Sequence, residues 1–128
     1  SLSWVAKKKL PVLFVIEDND FAVLTKKSDR RDWTAKKVAE AFNLEAFDTK
    51  DNPLEILNIM QKYEFKTPRL INIRTNRLYW HSGAGIDKKN VFDRLKSEEK
   101  ILGRDAEVYL KNLNKKISKL WLNILEKQ

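Results

Sequence analysis

Apolar positions fall in short blocks separated by charged turns, and the spacing inside the blocks alternates between two periods. Leu2, Val5 and Ala6 share one side of a helix expected over Leu2–Lys8. Pro11–Ile16 is then continuously apolar through Val12, Leu13, Phe14, Val15 and Ile16. A β-branched run this short predicts a strand buried on both faces, as in a parallel sheet. Polarity returns at once in Glu17-Asp18-Asn19-Asp20, which reads as a turn after the strand. Thr25–Asp32 is polar and predicts a loop. Trp33, Val38, Ala41 and Phe42 stand near helical spacing, so a helix is expected over Trp33–Phe42 with Asp32 as its N-cap. Leu44–Phe47 predicts a short strand closed by Asp48–Asn52. Asn52 then caps a helix with Pro53 at its first position. Leu54, Leu57, Met60 and Tyr63 recur along that helix, with Ile56 and Ile59 widening the stripe. Beyond Pro68, Leu70, Ile71 and Ile73 predict a strand over Arg69–Arg74.

Helix, strand, helix, strand, helix, strand is the order that gives parallel strands with right-handed crossovers. Arg74–Lys89 has no period, contains Gly83 and Gly85, and predicts a long loop of the functional or mobile kind. Two further helices are expected over Asn90–Leu102 and Asp105–Gln128. The second carries Ala106, Tyr109, Leu110, Leu113, Ile117, Leu120, Trp121 and Ile124 on one stripe. The chain therefore reads as one partial α/β domain: a core over 1–75, a loop over 76–90, and C-terminal helices over 91–128.

Composition changes this picture in three places. With 42% hydrophobic residues the chain is globular. With no cysteine, disulfides, thiolate metal sites and cysteine nucleophiles are excluded. The net charge of +8 admits a nucleic-acid partner or an anionic ligand. Lys and Arg are nevertheless spread along the chain among 18 acids, with Lys7–Lys9 as the one tight cluster, so a basic solvated surface is the plainer reading. No apolar run approaches the ~20 residues of a membrane span. Ser1 opens the chain inside an expected helix, which suggests that further residues precede it.

Two segments carry chemistry. Leu10–Thr25, LPVLFVIEDNDFAVLT, resembles the KLPVxFVxENNxYAIST strand and loop of thiamine-diphosphate enzymes. Arg69–Ser82, RLINIRTNRLYWHS, resembles the PxLIExxTYRxxxHS segment of the same enzymes, with Arg77 four residues before His81-Ser82. Between them Thr34–Phe42 is similar to the xAxxAxAxG helix and Phe47–Pro53 to the VDGNDP turn. The resemblance is to the C-terminal half of the alpha subunit of 2-oxo acid dehydrogenases. It implies half of a three-layer, parallel-sheet thiamine-diphosphate-binding fold with C-terminal helices.

By this resemblance the Asn19 side chain and the Phe21 backbone carbonyl ligate Mg²⁺, a hard cation that takes oxygen donors. Arg77 and His81 reach the diphosphate, with His81 in the catalytic set, and Arg77's forked donors suit a phosphate. Ser82 matches a loop serine that is phosphorylated in some members. The implied cofactors are thiamine diphosphate and magnesium. The implied partners are a beta subunit or beta-like domain and a lipoyl acyltransferase, within an oligomer, in the cytoplasm or the mitochondrial matrix, with neither nucleic acid nor membrane. The family's Gly-Asp-Gly turn would fall before Ser1, so this chain alone is expected to bind metal and cofactor weakly or not at all. Acetoin dehydrogenase is the neighbouring reading. A non-catalytic α/β interaction module and a basic nucleic-acid-binding domain are the competing ones. Without the resemblance, Glu17–Asp20 is a solvated turn and His81 a surface histidine; with or without it, Tyr79 and Trp80 read as packing residues.

Overall fold

The computed structural model describes residues 2–62, 66–79, 81 and 91–126. The elements run α1 (Leu2–Lys8), β1 (Leu13–Asp18), β2 (Phe21–Ala22), β3 (Thr25–Lys26), a 3-10 turn (Lys27–Asp29), α2 (Ala35–Ala41), β4 (Glu45–Lys50), α3 (Pro53–Gln61), β5 (Arg69–Arg74), α4 (Arg94–Leu102), a 3-10 turn (Gly103–Asp105) and α5 (Ala106–Leu125). The chain divides into two compact units, 1–92 and 93–128.

The first unit is a mixed α/β layer structure. Its three-stranded sheet has the order β1-β5-β4, and both pairings are parallel. The register aligns Phe14, Leu70 and Ala46 in one row, and Ile16, Asn72 and Asp48 in the row two residues on. Leu70 and Ala46 join Ala35 and Ala39 of α2 and Leu44 in the core, and Phe14, Ile16, Leu2 and Ala6 pack around it. The opposite face carries Ile71 and Thr49. There α3 meets β4, and the Thr49 hydroxyl donates to Glu55 at 2.9 Å. Small alanines on α2 let the helix backbone lie close to the sheet, so the core is compact but holds few large side chains.

β1 is not buried on both faces. It is an edge strand, and its Val15 is 55% exposed. The continuous apolar run misled because the doubly buried position belongs to β5, whose Leu70, Ile71 and Asn72 are all buried. β1 also runs on past Ile16: Glu17 and Asp18 pair with Ile73 and Arg74. β4 likewise runs to Lys50, so Asp48 and Thr49 are strand residues rather than turn residues.

Local chemistry fixes the helix ends. Thr34, not Asp32, caps α2, its hydroxyl accepting from the Lys37 amide at 3.2 Å. Asn52 caps α3 as its sequence suggests, accepting from Leu54 and Glu55, with Pro53 following. At the end of α2, Asn43 takes φ 59°, its amide donates to Glu40, and Leu44 donates back to Ala39. This paired closure places Leu44 beside Ala39 in the core. α1 closes the same way through Lys9 at φ 51°, a lysine where glycine is usual. In α3 the inward side is formed by Ile56, Ile59 and Met60, while Leu54 and Leu57 are exposed; Tyr63 lies outside the described residues.

In the second unit Asp93 caps α4, accepting from the Lys96 amide at 3.2 Å. The three-residue turn at Gly103 joins α4 to α5. Gly103 has φ 60°, which suits a residue without a Cβ. Of the apolar stripe on α5 only Ala106 is buried, and Tyr109, Leu120 and Trp121 are exposed. None of the helices among the described residues is long and apolar enough to cross a membrane.

Candidate functional site

The carboxyl ends of parallel strands are where α/β sheets place ligands, because the loops leaving them diverge around a crevice. Here the ends of β1 and β5 lie side by side, and the Thr75 amide donates to the Asp18 carbonyl at 3.0 Å, one step beyond the paired strands. The two segments singled out in the sequence therefore leave the sheet from adjacent strands on the same edge.

After β1 the chain turns at Asn19 and Asp20, with Asp20 at φ 68°. The Asn19 side-chain oxygen accepts from the Phe21 amide at 3.0 Å, and the Asp18 side-chain oxygen from the Asp20 amide at 3.0 Å. These two self-closing turns launch a hairpin of β2 and β3 that the polar reading of Thr25–Asp32 concealed. The Lys27 amide donates to the Asp20 carbonyl at 2.8 Å. In an antiparallel ladder hydrogen-bonded pairs alternate, so the Phe21–Lys26 pair is a non-bonded one. The Phe21 carbonyl therefore lies outside the hairpin's own hydrogen bonds.

Arg77 comes across from the segment after β5. Its guanidinium lies over the Phe21 ring, 4.4 Å from the centroid, and hydrogen bonds to the Val23 carbonyl. Val23 holds φ 59°, costly for a β-branched residue, at the tip of the hairpin. His81 is exposed, four residues beyond Arg77. Ser82 and Trp80 lie outside the described residues.

Below the hairpin lies an ionic network that the sequence did not announce. Asp18 accepts from the Lys27 ammonium at 2.6 Å and has Arg31 at 3.9 Å; Lys27 also meets Asp20 at 3.3 Å. Burial alone would push the Asp18 carboxyl upward. The Lys27 bond and charge, the Asp20 amide and the Asn72 amide outweigh it and hold Asp18 below the usual carboxylate range. The Asp18 bond raises Lys27 in turn. Asn72, buried in the central strand, also donates to Asp48 at 2.6 Å, and so ties the carboxyl edges of both outer strands to the middle one. Asp18, Phe21, Ala22, Lys27, Arg30, Arg31 and Trp33 line a cleft of about 310 Å³. The sequence signal for it was the Arg30-Arg31 pair, hidden inside an expected loop, and Trp33, read as the start of the helix that follows.

No group of three or more His, Asp or Glu residues that could hold a metal ion occurs among the described residues. The oxygens expected to face magnesium are of another kind: one side-chain amide and one backbone carbonyl, two residues apart in a braced turn. No family model matches the chain, and no curated protein or solved structure matches it.

Proposed function

We propose that this chain contributes the alpha-side part of the magnesium and diphosphate site of a thiamine-diphosphate-dependent 2-oxo acid dehydrogenase. The observation that carries the proposal is the meeting of Arg77 with the β2–β3 hairpin. Arg77 brings a permanent, forked positive charge to within 4.4 Å of the Phe21 ring. It thus lies beside Phe21, one of the two residues whose oxygens would face the metal.

The residues present fit their share of such a group. Asn19 Oδ1 is half used by the Phe21 amide and keeps a second lone pair, and the Phe21 carbonyl points out of the ladder. Two neutral oxygens do not make a magnesium site by themselves. Magnesium asks for near-octahedral oxygen, commonly with one or two carboxylates and substrate phosphates. Asp18 does not provide the carboxylate, since its oxygens are committed to Lys27 and the Asp20 amide. A further carboxylate from outside these residues completes the set in this reading, and His81 and Arg77 orient the diphosphate. When bound, thiamine diphosphate supplies the carbanion chemistry for decarboxylating a 2-oxo acid; this chain's residues hold and position its anionic end. The acyl group would pass to a lipoyl acyltransferase, and a beta subunit or beta-like domain would complete the site.

The test is calorimetric titration of thiamine diphosphate with Mg²⁺ into this chain and into a version extended by about 200 residues, the size of one further domain. Binding is expected in the extended form only, weakened about tenfold or more by Asn19→Ala or Arg77→Ala, as for loss of a charge-assisted contact. An extended form that stays silent, or one indifferent to both substitutions, refutes the proposal.

A further inference from the structure

The cleft lined by Asp18, Lys27, Arg30, Arg31, Phe21 and Trp33 shares only Phe21 with the site proposed above: neither Asn19, Arg77 nor His81 lines it. Its walls carry three cations against one carboxylate. That carboxylate, Asp18, is already neutralised by Lys27 at 2.6 Å and Arg31 at 3.9 Å. Asp29 and Asp32, which flank the arginine pair in sequence, do not line the cleft. Among the described residues, the Arg30 side chain has neither an ion pair nor a hydrogen bond. Its charge is therefore uncommitted among the described residues, in a pocket whose lining is net positive.

The second feature is aromatic. Trp33 is 51% exposed, and the Arg31 guanidinium lies over its ring at 4.0 Å. This stack fixes the indole plane through a contact that does not depend on a ligand. A flat, half-exposed ring next to an uncommitted guanidinium matches a ligand with a planar heterocycle at one end and an oxyanion at the other. At about 310 Å³ the cleft is at the lower end of small-molecule sites. Its size fits one such molecule rather than a strand of nucleic acid.

We infer that this cleft binds a nucleoside monophosphate, with the base against Trp33 and the phosphate on Arg30. Arg31 serves both ends, since it braces the indole and adds positive charge. Lys27 holds Asp18 in its ion pair, so the acid does not repel the phosphate. Base stacking on an aromatic side chain and charge-assisted bonds to phosphate are each strong enough to be read by single substitution.

The full 128-residue chain, ¹⁵N-labelled, is titrated with adenosine 5′-monophosphate, adenosine and inorganic phosphate without added metal. The Trp33 indole N–H and the Arg30 and Arg31 amides are followed. The nucleotide is expected to shift all three saturably, with phosphate and adenosine each about tenfold weaker or more. Arg30→Gln, at an exposed position, lowers the affinity about tenfold. Trp33→Ala brings the nucleotide down to the affinity of phosphate, whereas Trp33→Phe keeps most of the difference. Absence of saturable shifts, or binding untouched by Arg30→Gln and Trp33→Ala, overturns the inference. So does phosphate that binds as tightly as the nucleotide, because the ring then plays no part. Because no thiamine diphosphate, magnesium or upstream sequence enters this experiment, its failure is separate from failure of the proposed function.

Discussion

Replacing Asp18 by Asn tests the electrostatic centre of the first unit with little change of shape. The amide keeps an oxygen for the Asp20 backbone N–H, which now sits 3.0 Å from Asp18 Oδ1. It loses the charge that meets Lys27 at 2.6 Å. A hydrogen bond to a charged partner contributes about 1.5–3 kcal/mol. The Asp18 side chain is only 10% exposed, which argues for the upper part of that range, but Lys27 is 32% exposed and can keep Asp20, which argues for the lower. A net loss of about 1–2 kcal/mol at pH 7 follows. The pH dependence is the sharper readout. Because the folded pKa of Asp18 is lowered, its contribution is complete above the unfolded value near 4 and disappears as pH falls through the folded value. The stability difference between the two proteins is therefore expected to be constant from pH 7 to about 5 and to shrink progressively below about pH 4. Urea titration at a series of pH values, read from the native amide resonances of Leu70 and Ile71 in the central strand, measures this. Equal stability at pH 7, or a difference that persists unchanged at pH 2, refutes the assignment of Asp18 as a charged, paired group.

Three further outcomes follow from the packing and the backbone. Leu70→Ala removes a 2%-exposed side chain from a core otherwise rich in alanine and is expected to cost about 2–5 kcal/mol, while Val15→Ala on the exposed edge costs under about 1; comparable losses in urea would disprove the edge assignment of β1. Thr34→Ala is expected to destabilise by about 0.5–2 kcal/mol and Asp32→Ala by a few tenths at most, and the reverse order in thermal melts would return the α2 cap to Asp32. Val23→Gly and Lys9→Gly relieve left-handed backbone at φ 59° and 51°, so each is expected to stabilise by up to about 1 kcal/mol, and destabilisation by either would show that no strain resides there.

Sequence alone determined the elements whose cause is local. Pro53 behind Asn52, the apolar run of β5, and the alternation of helix and strand each carry their own signal, because capping, propensity and periodicity act over a few residues. That the segments after β1 and β5 leave the sheet side by side was legible in the α/β order, while the roles proposed for Asn19, Phe21 and Arg77 rest on the resemblance alone. Tertiary structure decided what depends on neighbours distant in the chain. The run leading into β1 is the more apolar of the two, yet the strand order puts β1 at an edge and β5 in the middle. Asp32 and Thr34 are both good caps, and the geometry of the last loop residue chose between them. Asp18 and Lys27 are ordinary charges in an ordinary turn until the hairpin folds back and sets them 2.6 Å apart. Burial and pairing are properties of the assembled chain, so neither the lowered carboxyl nor the basic cleft beside it has a signature in the order of residues.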